Sequence, residues 1–340
     1  MVSMQPFISI IIVCYNYAKY LPTALNAISR QNFKDFEIVF VDNGCTDNSL
    51  EIMKAFEAEH PDISVRYVLI EKNIGLPYGD NKGVEAATGK YLMFHDADDW
   101  MGDNCLELLA KSAMDNDSDR VVTAFNDVDE NGKILQVQEL GEEPVYWLYG
   151  LVQGNLFRAD LYRELGVKTK TRSPDIEKTF WFSSASNKVS FVHVPCYNML
   201  IHSDSTSRMK EIYKTLLTDD GISLSYLLSL CVPRLPSKDN SEYTMAVYAL
   251  TRFYYGHLFR FLRYAPLSDT FRIYGELHKM MKSKLPDYME CTKTALKNKK
   301  ACRPYGWKVA NTLYMAEKMH MMYVVLFFYH VLSFFVCLRE

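Results

Sequence analysis

The stretch Tyr91–Trp100 contains the residues best suited to chemistry in this chain. It begins as a short apolar run after Gly89, which predicts a buried strand, and ends with three carboxylates in four positions, Asp96, Asp98 and Asp99. In an extended chain residues i and i+2 lie on the same side, so Asp96 and Asp98 are predicted to face one object. Like charges this close favour a divalent cation between them, and such a cation commonly bridges to a phosphate.

A second interpretation of the same acids needs no ligand. Asp98 or Asp99 would cap a helix that is predicted to begin near Asp103, because a carboxylate accepts hydrogen bonds from the first turn of a helix. These ten residues alone do not separate a cation site from an acidic turn. The preceding part of the sequence bears on the choice.

Polar residues follow several of the predicted strands. The apolar runs Phe7–Cys14 and Phe36–Val41 predict strands buried on both faces, and each is followed by apolar residues at helical spacing. Strands alternating with helices predict a parallel sheet with right-handed crossovers, in which ligands bind beyond the carboxyl ends of the strands. This edge is therefore predicted to gather Tyr15, Asn16, Asp42, Asn43, Asp96, Asp98 and Asp99.

The bulk composition limits the classes of protein. With 340 residues, 49% hydrophobic and 23% charged, the chain can bury a sizeable core in one large domain or two smaller ones. Its net charge of -3 argues against a general nucleic-acid binder. Eight cysteines with no C-x-x-C pair favour a reducing compartment over a disulfide framework or a zinc site. No secretory signal is recognisable, so we expect the catalytic part in the cytoplasm.

Two glycine-rich phosphate motifs are absent from the sequence. Neither G-x-G-x-x-G after the first strand nor G-x-x-x-x-G-K-[ST] occurs. A nicotinamide-dependent oxidoreductase would share the fold class but lacks this support. We therefore expect nucleotide phosphates to be held through a metal ion.

Several spaced motifs resemble those of the family 2 glycosyltransferases. They are Ser9–Asn16, Gln31–Ser49, Asn73-Ile-Gly75, Asn81-Lys-Gly83, Ala87-Thr-Gly89 and Phe94–Trp100. The resemblance implies the GT-A nucleotide-diphospho-sugar transferase fold, which is Rossmann-like with a mostly parallel central sheet. It also implies inverting, metal-dependent transfer of a hexosyl group from a nucleotide sugar, expected to be UDP-linked, to an acceptor hydroxyl.

The resemblance assigns a set of nucleotide-sugar-binding residues. They are Tyr15, Asn16, Asp42, Asn43, Asn81, Asp96, Asp98 and His202. Tyr15 would stack on the base, and Asp42 would bind the base edge or ribose. The alternatives are a tyrosine with its ring in the core, a turn favoured by Asp-Asn-Gly itself, and a helix-surface amide at Asn81. Asp80 departs from the family, which often has arginine there.

The same resemblance assigns the metal ligands and the general base. Asp98 and Asp99 would bind Mn²⁺ or Mg²⁺ together with His202, which lies in the closing segment Tyr197–Ser207. Both ions suit oxygen-rich sites, and the bound ion would neutralise a departing diphosphate. Asp175 or Glu177 would take the proton of the acceptor hydroxyl, with Asp175 slightly favoured. The alternative is that both acids merely suit the first turn of a helix.

The last third of the chain has a different character. We predict a glycosyltransferase domain over 1–210, with a nucleotide-binding half at 1–100 and an acceptor half at 101–210, followed by a helical region at 211–340. The basic run Lys293–Lys308 precedes the apolar stretch Met319–Leu338, a pattern that suits an anionic membrane surface on the cytoplasmic side. A spanning helix, an interfacial helix and a packed helix pair or dimer face stay open.

Together these features predict an enzyme of bacterial surface-polysaccharide assembly. Its acceptor would be a glycan or lipid-linked saccharide, as in capsule or lipopolysaccharide synthesis, and it would be peripheral on the inner face of the plasma membrane. The competing hypothesis is a nucleotide-sugar-binding scaffold protein that has lost catalysis.

Overall fold

The chain forms two compact units. The computed structural model describes residues 5–140, 147, 152–170, 174–202, 224–260, 262, 265–299 and 307–337. One unit comprises Met1–Leu140 with Tyr149–Ser203, and the other comprises Gly141–Leu148 with Asp204–Glu340.

The first unit is a sheet with helices on both faces. Its strands are β1 (Ile8–Cys14), β2 (Phe36–Asn43), β3 (Ser64–Ile70), β4 (Tyr91–Phe94), β5 (Trp100–Met101), β6 (Arg120–Val128), β7 (Ile134–Gln138), β8 (Leu156–Arg158) and β9 (Val189–Leu200). Its helices are α1 (Leu21–Ser29), α2 (Ser49–Glu59), α3 (Leu76–Ala86), α4 (Cys105–Asn116), α5 (Ala159–Glu164) and α6 (Pro174–Ser183). The strand order is β3-β2-β1-β4-β8-β6-β9-β5, and β7 pairs with β6.

The parallel sheet expected from the sequence is confirmed in the first four strands. β1 pairs in parallel with both β2 and β4, and β2 pairs in parallel with β3. The register sets Cys14 opposite Asp42, so the polar residues after β1 and β2 begin at the same level. β8 is antiparallel to β4 and to β6, which makes the sheet mixed beyond its first half.

The core lies on both faces of β1, as the continuous apolar run predicts. Ile8, Ile10 and Ile12 pack into a cluster that also contains the buried faces of α1, α2 and α4. Ile11 points to the opposite side, where the second cluster includes residues of α3, α5 and α6, such as Phe182. The alternation follows from the period of two along a strand.

Two glycines let α3 approach β1 closely. A Cβ atom at Gly79 would lie 2.6 Å from Val13 Cγ1, and one at Gly83 would lie 2.4 Å from Ile11 Cγ2. Real side chains do not tolerate such contacts, so the backbone of α3 rests directly on the strand. This seating fixes Asp80 and Asn81, which lie between the two glycines, relative to the sheet edge.

The second unit is helical in its described part. Its helices are α7 (Leu224–Cys231), α8 (Tyr243–Arg260), α9 (Leu267–Lys284), α10 (Tyr288–Ala295), α11 (Trp307–Lys318) and α12 (Met322–Cys337), with a short 3₁₀ helix at Val232–Arg234.

The buried carboxylate of Glu317 on α11 connects four helices of this unit. It accepts hydrogen bonds from the hydroxyls of Tyr254, Tyr255 and Tyr288 at 3.2, 2.7 and 2.7 Å, and it lies 2.6 Å from His278 Nδ1. These residues are called the Glu317 cluster below. Burial opposes the charge, but the hydrogen bonds and the histidine outweigh it and lower the pKa of Glu317.

The apolar stretch Met319–Leu338 is not one helix from its start. His320 has a φ of 57°, in the left-handed region, and α12 begins only at Met322. None of the described helices combines the length and the apolar character needed to cross a bilayer. Residues 300–306 of the basic run and residue 338 lie outside the described residues.

Candidate active site

The three acids of the opening stretch converge at a turn and not along a strand. β4 ends at Phe94, and the backbone N–H of Asp99 donates to the carbonyl of Asp96 at 3.2 Å. One ligand atom from each of Asp96, Asp98 and Asp99 lies within 4.8 Å of the others. Asp96 and Asp98 lie together, as expected from the sequence, but they do so because the chain folds back after β4 and not because it stays extended. The turn brings a third carboxylate to the group that a strand would have left out.

The helix-capping interpretation of these acids is also wrong. α4 begins at Cys105, with Asn104 at its N-cap and no side-chain cap. Asp99 instead accepts the backbone N–H of Leu200 at 2.8 Å, and Asp98 contacts His202. Antiparallel pairing of β5 with β9, which sets Trp100 opposite Asn198, carries the end of β9 back to the acidic turn.

Burial and neighbouring charges disfavour the ionised forms of Asp96 and Asp99. Burial raises the pKa of Asp96 well above its usual range, and the charges of Asp98, Asp175 and Asp80 raise it further. Burial also raises the pKa of Asp99, with added repulsion from Asp96 and Asp98. Repelling carboxylates buried together are stabilised when a positive charge joins them.

The donor set fits a hard divalent cation. Three carboxylates supply oxygen ligands, which Mg²⁺ and Mn²⁺ prefer. One of these oxygens, Oδ2 of Asp99, is buried and makes no hydrogen bond within the described part of the chain. A buried oxygen without a donor is unfavourable unless something binds it.

His202 joins this group from the end of β9. Its Nε2 lies 2.9 Å from Asp98 Oδ2, and its Nδ1 lies 3.3 Å from the hydroxyl of Tyr20. The residue is 4% exposed. Residues 203–207 of the closing segment lie outside the described residues.

The polar residues that end β2 or follow β1 meet at the same edge, and most of them bind neighbouring loops. Tyr15 is 41% exposed, so its ring is not in the core. Asn16 has a φ of 61° and accepts the N–H of Thr46 at 2.7 Å, which ties the first loop to the second. Asp42 accepts the N–H of Cys45 at 2.8 Å, the turn interaction that Asp-Asn-Gly favours.

Asn43 and Asn81 likewise make bonds within the protein. Asn43 donates to Asn73 Oδ1 at 3.2 Å and accepts the N–H of Ile74 at 3.1 Å. Asn81 donates to the carbonyl of Thr169 at 2.9 Å and accepts its N–H at 3.1 Å. Asn81 is therefore not a helix-surface amide, because it binds a distant segment of the chain.

Asp80 is paired with a lysine from α6. Lys178 Nζ lies 2.6 Å from Asp80 Oδ2 and 3.8 Å from the centre of the Phe94 ring. Burial raises the pKa of Asp80, and the lysine opposes this shift. Asp80 is therefore neutralised by a buried lysine of another helix.

The two candidate bases differ in their surroundings. Glu177 is fully buried, and its carboxylate accepts the N–H of Lys170 at 3.1 and 3.3 Å. Asp175 is half-buried and lies with both oxygens 3.5 Å from Gln153 Nε2. Its charge raises the pKa of Asp96.

Sequence reasoning missed several residues around the acids. Tyr197 accepts the N–H of Asp96 at 3.1 Å, and the pKa of Tyr17 is raised by burial and by the charges of the three acids. His95 is buried beside Tyr197, and burial lowers its pKa to about 4. A tyrosine near a predicted strand end is a weak signal, and only the folded arrangement distinguishes these from core residues.

Comparison with known proteins identifies the class. Residues 9–175 match the model of the family described as Glycosyl transferase family 2. Glycosyltransferase GlyG of Streptococcus pneumoniae serotype 4 is 28% identical over 214 residues, which cover 57% of this chain and 70% of GlyG. Putative glycosyltransferase EpsH of Bacillus subtilis is 26% identical over 238 residues, covering 64% of this chain and 67% of EpsH. Residues 9–175 are therefore a family 2 glycosyltransferase domain, and the chain is a glycosyltransferase enzyme.

Solved structures show the fold. S. aureus TarS 1-349, crystallised in complex with UDP-GlcNAc, superposes with a TM-score of 0.61 at 18% identity and covers 92% of each chain. The mannosyltransferase PcManGT of Pyrobaculum calidifontis, in complex with GDP-Man and Mn2+, gives a TM-score of 0.56 at 15% identity, covering 94% of this chain and 88% of that chain. The GT-A fold with a helical C-terminal region, expected from the sequence, is confirmed.

Proposed function

We propose that this protein is an inverting, metal-dependent glycosyltransferase that moves a sugar from a nucleotide sugar to an acceptor hydroxyl. The observation that carries the proposal is the convergence of Asp96, Asp98 and Asp99 within 4.8 Å at the carboxyl edge of the sheet. Ligands of parallel sheets bind at this edge. The family membership makes a nucleotide sugar the ligand to expect there.

Asp98 and Asp99 are the residues we propose to hold the cation, with His202 in contact with Asp98. When bound, the ion would supply positive charge to a departing nucleoside diphosphate. UDP is the favoured nucleotide, in keeping with the UDP-GlcNAc complex of TarS. GDP is the alternative, in keeping with the GDP-Man complex of PcManGT. The exposed ring of Tyr15 is available to stack on either base.

We assign the general base to Asp175. A base must reach the proton of the acceptor hydroxyl. Asp175 is half-buried and its charge raises the pKa of Asp96, whereas Glu177 is fully buried and accepts the Lys170 N–H. A single displacement with a base on the acceptor side inverts the anomeric centre. Glu177 then has a structural role, because its carboxylate lies in the first turn of α6 and accepts a backbone N–H.

We further propose that the second unit contacts an anionic lipid surface, where the enzyme would meet a lipid-linked acceptor of surface-polysaccharide synthesis. α12 buries Met322 and Leu326 but exposes a face of large apolar residues. That face and the residues before it include Met319, Met321, Tyr323, Val324, Phe327 and Phe328. Exposed lysines on α10, after it and on α11 add positive charge to this unit, as at Lys293, Lys297, Lys299, Lys308 and Lys318. Apolar and basic groups together favour the interface of an anionic membrane on the cytoplasmic side.

The proposal is tested by an assay of sugar transfer. Purified protein is incubated with radiolabelled UDP-sugars, Mn²⁺ and a bacterial membrane extract, and labelled lipid is separated by chromatography. We expect transfer that is lost with EDTA and in Asp98→Ala. Transfer that survives both treatments would remove the metal role. Binding of UDP without any transfer, unchanged in Asp175→Asn, would favour the scaffold alternative.

A further inference from the structure

Gln153 is a buried glutamine at the end of β4, and its residue type gave no signal in the sequence. It is 6% exposed, and its backbone forms a parallel β-bridge with Phe94, the last residue of β4. The next residue, Gly154, has a φ of 72° and donates its N–H to the carbonyl of Phe94 at 3.3 Å. A Cβ atom at Gly154 would lie 2.8 Å from the Tyr197 side chain, so the position requires glycine. The backbone therefore fixes Gln153 beside the start of the acidic turn.

The side-chain amide of Gln153 contacts the proposed base as well as the acidic turn. Its Nε2 lies 3.5 Å from both carboxylate oxygens of Asp175. On the side of the turn, burial raises the pKa of Asp96, and a hydrogen bond from Gln153 opposes that shift. The NH₂ end of the amide thus serves two acids that come from different parts of the chain.

The carbonyl end of the same amide lacks a donor. Gln153 Oε1 is buried and makes no hydrogen bond within the part of the chain that the structure describes. A buried carbonyl without a donor is unfavourable. Turning the amide over would not help, because Oε1 would then face the carboxylate oxygens of Asp175, which accept hydrogen bonds. A ligand with an N–H or O–H group would complete the site.

The position of Gln153 indicates which ligand brings this donor. In a single displacement the transferred sugar lies between the departing diphosphate and the attacking hydroxyl of the acceptor. The acidic turn is the proposed site of the cation that binds the diphosphate, and Asp175 is the proposed base for the acceptor hydroxyl. Gln153 contacts both regions, so the transferred sugar is the group expected next to it. Ionised phosphates only accept hydrogen bonds, whereas sugar hydroxyls can donate them.

We propose that Gln153 determines specificity for the transferred sugar, with Oε1 accepting a hydrogen bond from one hydroxyl or acetamido N–H group of that sugar. The contact of Nε2 with Asp175 holds the amide in the required orientation. A site that hydrogen-bonds a substrate group rejects analogues without that group, because its own buried partner is then left unpaired. The proposal rests on the proposed function, since it takes the ligand to be a nucleotide sugar.

The test compares the affinities for UDP and for a UDP-sugar, measured by isothermal titration calorimetry with Mn²⁺ and without acceptor. The sugar is whichever of UDP-glucose, UDP-galactose and UDP-N-acetylglucosamine binds the wild type most tightly. Gln153→Met keeps the length of the side chain and removes the amide. A hydrogen bond between uncharged groups is worth a factor of about three to ten in affinity. We expect Kd for the UDP-sugar to rise by about that factor, while Kd for UDP stays within about twofold.

Gln138→Met is the matched control. It removes an amide that donates to Asp127 at 2.6 Å elsewhere in the same unit. We expect this variant to bind both ligands like the wild type.

Analogues of the same UDP-sugar that each lack one hydroxyl or acetamido group give a second measurement. We expect one analogue to bind the wild type about three- to tenfold more weakly than the parent, because it lacks the group that Oε1 accepts. Gln153→Met should bind that analogue and the parent equally, since a contact that has been lost on one side gains nothing from the other. A glutamine with a purely structural role would leave the difference unchanged.

The outcomes separate this proposal from the proposed function. A wild type that binds neither UDP nor any of the three UDP-sugars would contradict the nucleotide of the proposed function, and the role of Gln153 would fall with it. If the wild type binds both ligands, equal weakening of UDP and UDP-sugar in Gln153→Met overturns only the role of Gln153, and so does an unchanged affinity for the UDP-sugar. A wild type that binds every analogue as tightly as the parent overturns that role without the use of any variant.

Discussion

The ammonium group of Lys178 on α6 lies 2.6 Å from the carboxylate of Asp80 on α3, with both side chains buried. Next to it, Asn81 on α3 holds Thr169 through two hydrogen bonds to its backbone. Adjacent residues of α3 therefore bind Thr169, which precedes α6, and Lys178, which lies within it. Asp175, the proposed base, lies in the first turn of that helix.

This ion pair leads to a prediction about stability. Removing one partner of a buried pair leaves an uncompensated charge, which typically costs about 3–5 kcal/mol. We expect Lys178→Met to lower the free energy of unfolding by that order, and the double variant Asp80→Leu with Lys178→Met to recover most of it. Urea unfolding followed by circular dichroism measures both. A double variant no more stable than Lys178→Met would contradict the account.

The two candidate bases should respond differently to removal of their charge. A general base contributes about 10²–10⁴-fold to rate, so Asp175→Asn is expected to lower kcat by that order while UDP binding stays unchanged. Glu177→Gln is expected to act mainly on stability, because its carboxylate accepts the Lys170 N–H. Asp160→Asn, in the first turn of α5, is the matched control.

Sugar transfer and UDP affinity are measured for all three variants. An inactive Glu177→Gln beside an active Asp175→Asn would reverse the assignment.

The Glu317 cluster gives the second unit a dependence on pH. The pKa of Glu317 is lowered in the folded protein, so its stabilisation is present above the unfolded pKa of about 4.3 and is lost as pH falls through the folded value. Hydrogen bonds to a charged group are worth about 1.5–3 kcal/mol, so Glu317→Gln should cost a similar amount at pH 7. The difference from the wild type should shrink in acid.

Urea unfolding of the full chain at pH 7 and at a series of pH values below 4 is the measurement for this cluster. Glu290→Gln serves as control, because Glu290 makes an exposed ion pair with Lys293 on the surface of α10. An equal effect of Glu317→Gln at all these pH values would contradict the role of its charge.

The exposed face of α12 predicts binding to lipid. Phe327 and Phe328 are 43% and 59% exposed. A tenfold change in lipid affinity corresponds to about 1.4 kcal/mol. This is less than the free energy gained by burying one phenylalanine side chain. We expect the double variant Phe327→Ser with Phe328→Ser to bind at least about tenfold more weakly to vesicles of phosphatidylcholine with phosphatidylglycerol. Ile134→Ser, an exposed apolar residue of β7, is the control. Cosedimentation that is equal for all three proteins would remove the membrane role.

The sequence predicts well what depends on local pattern. The run Phe7–Cys14 has the continuous apolar character of a strand covered on both faces, and β1 is such a strand. The acids Asp96, Asp98 and Asp99 stand out by charge alone, and the structure brings them together. Periodicity and charge are properties of neighbouring residues, so they can be read before folding.

Partners from distant parts of the chain could not be predicted in this way. Thr169 binds Asn81, and Leu200 binds Asp99, through backbone groups that carry no sequence signal. β5 contains only two residues, too few for any period, yet its pairing with β9 brings His202 to the acids. The expected strand Tyr91–Phe94 is present, but the turn that follows it at Asp96–Asp99 could not be predicted, because it depends on contacts with distant residues such as Leu200.

The most direct test of the central claim is the binding of UDP by isothermal titration calorimetry, with and without Mn²⁺, for the wild type and Asp98→Asn. If the acidic turn holds a cation that binds the diphosphate, UDP affinity in the wild type rises at least about tenfold on adding Mn²⁺, as expected when metal and phosphate bind together. In Asp98→Asn the metal should have little effect. An equal gain from Mn²⁺ in both proteins, or no gain in the wild type, would contradict the account.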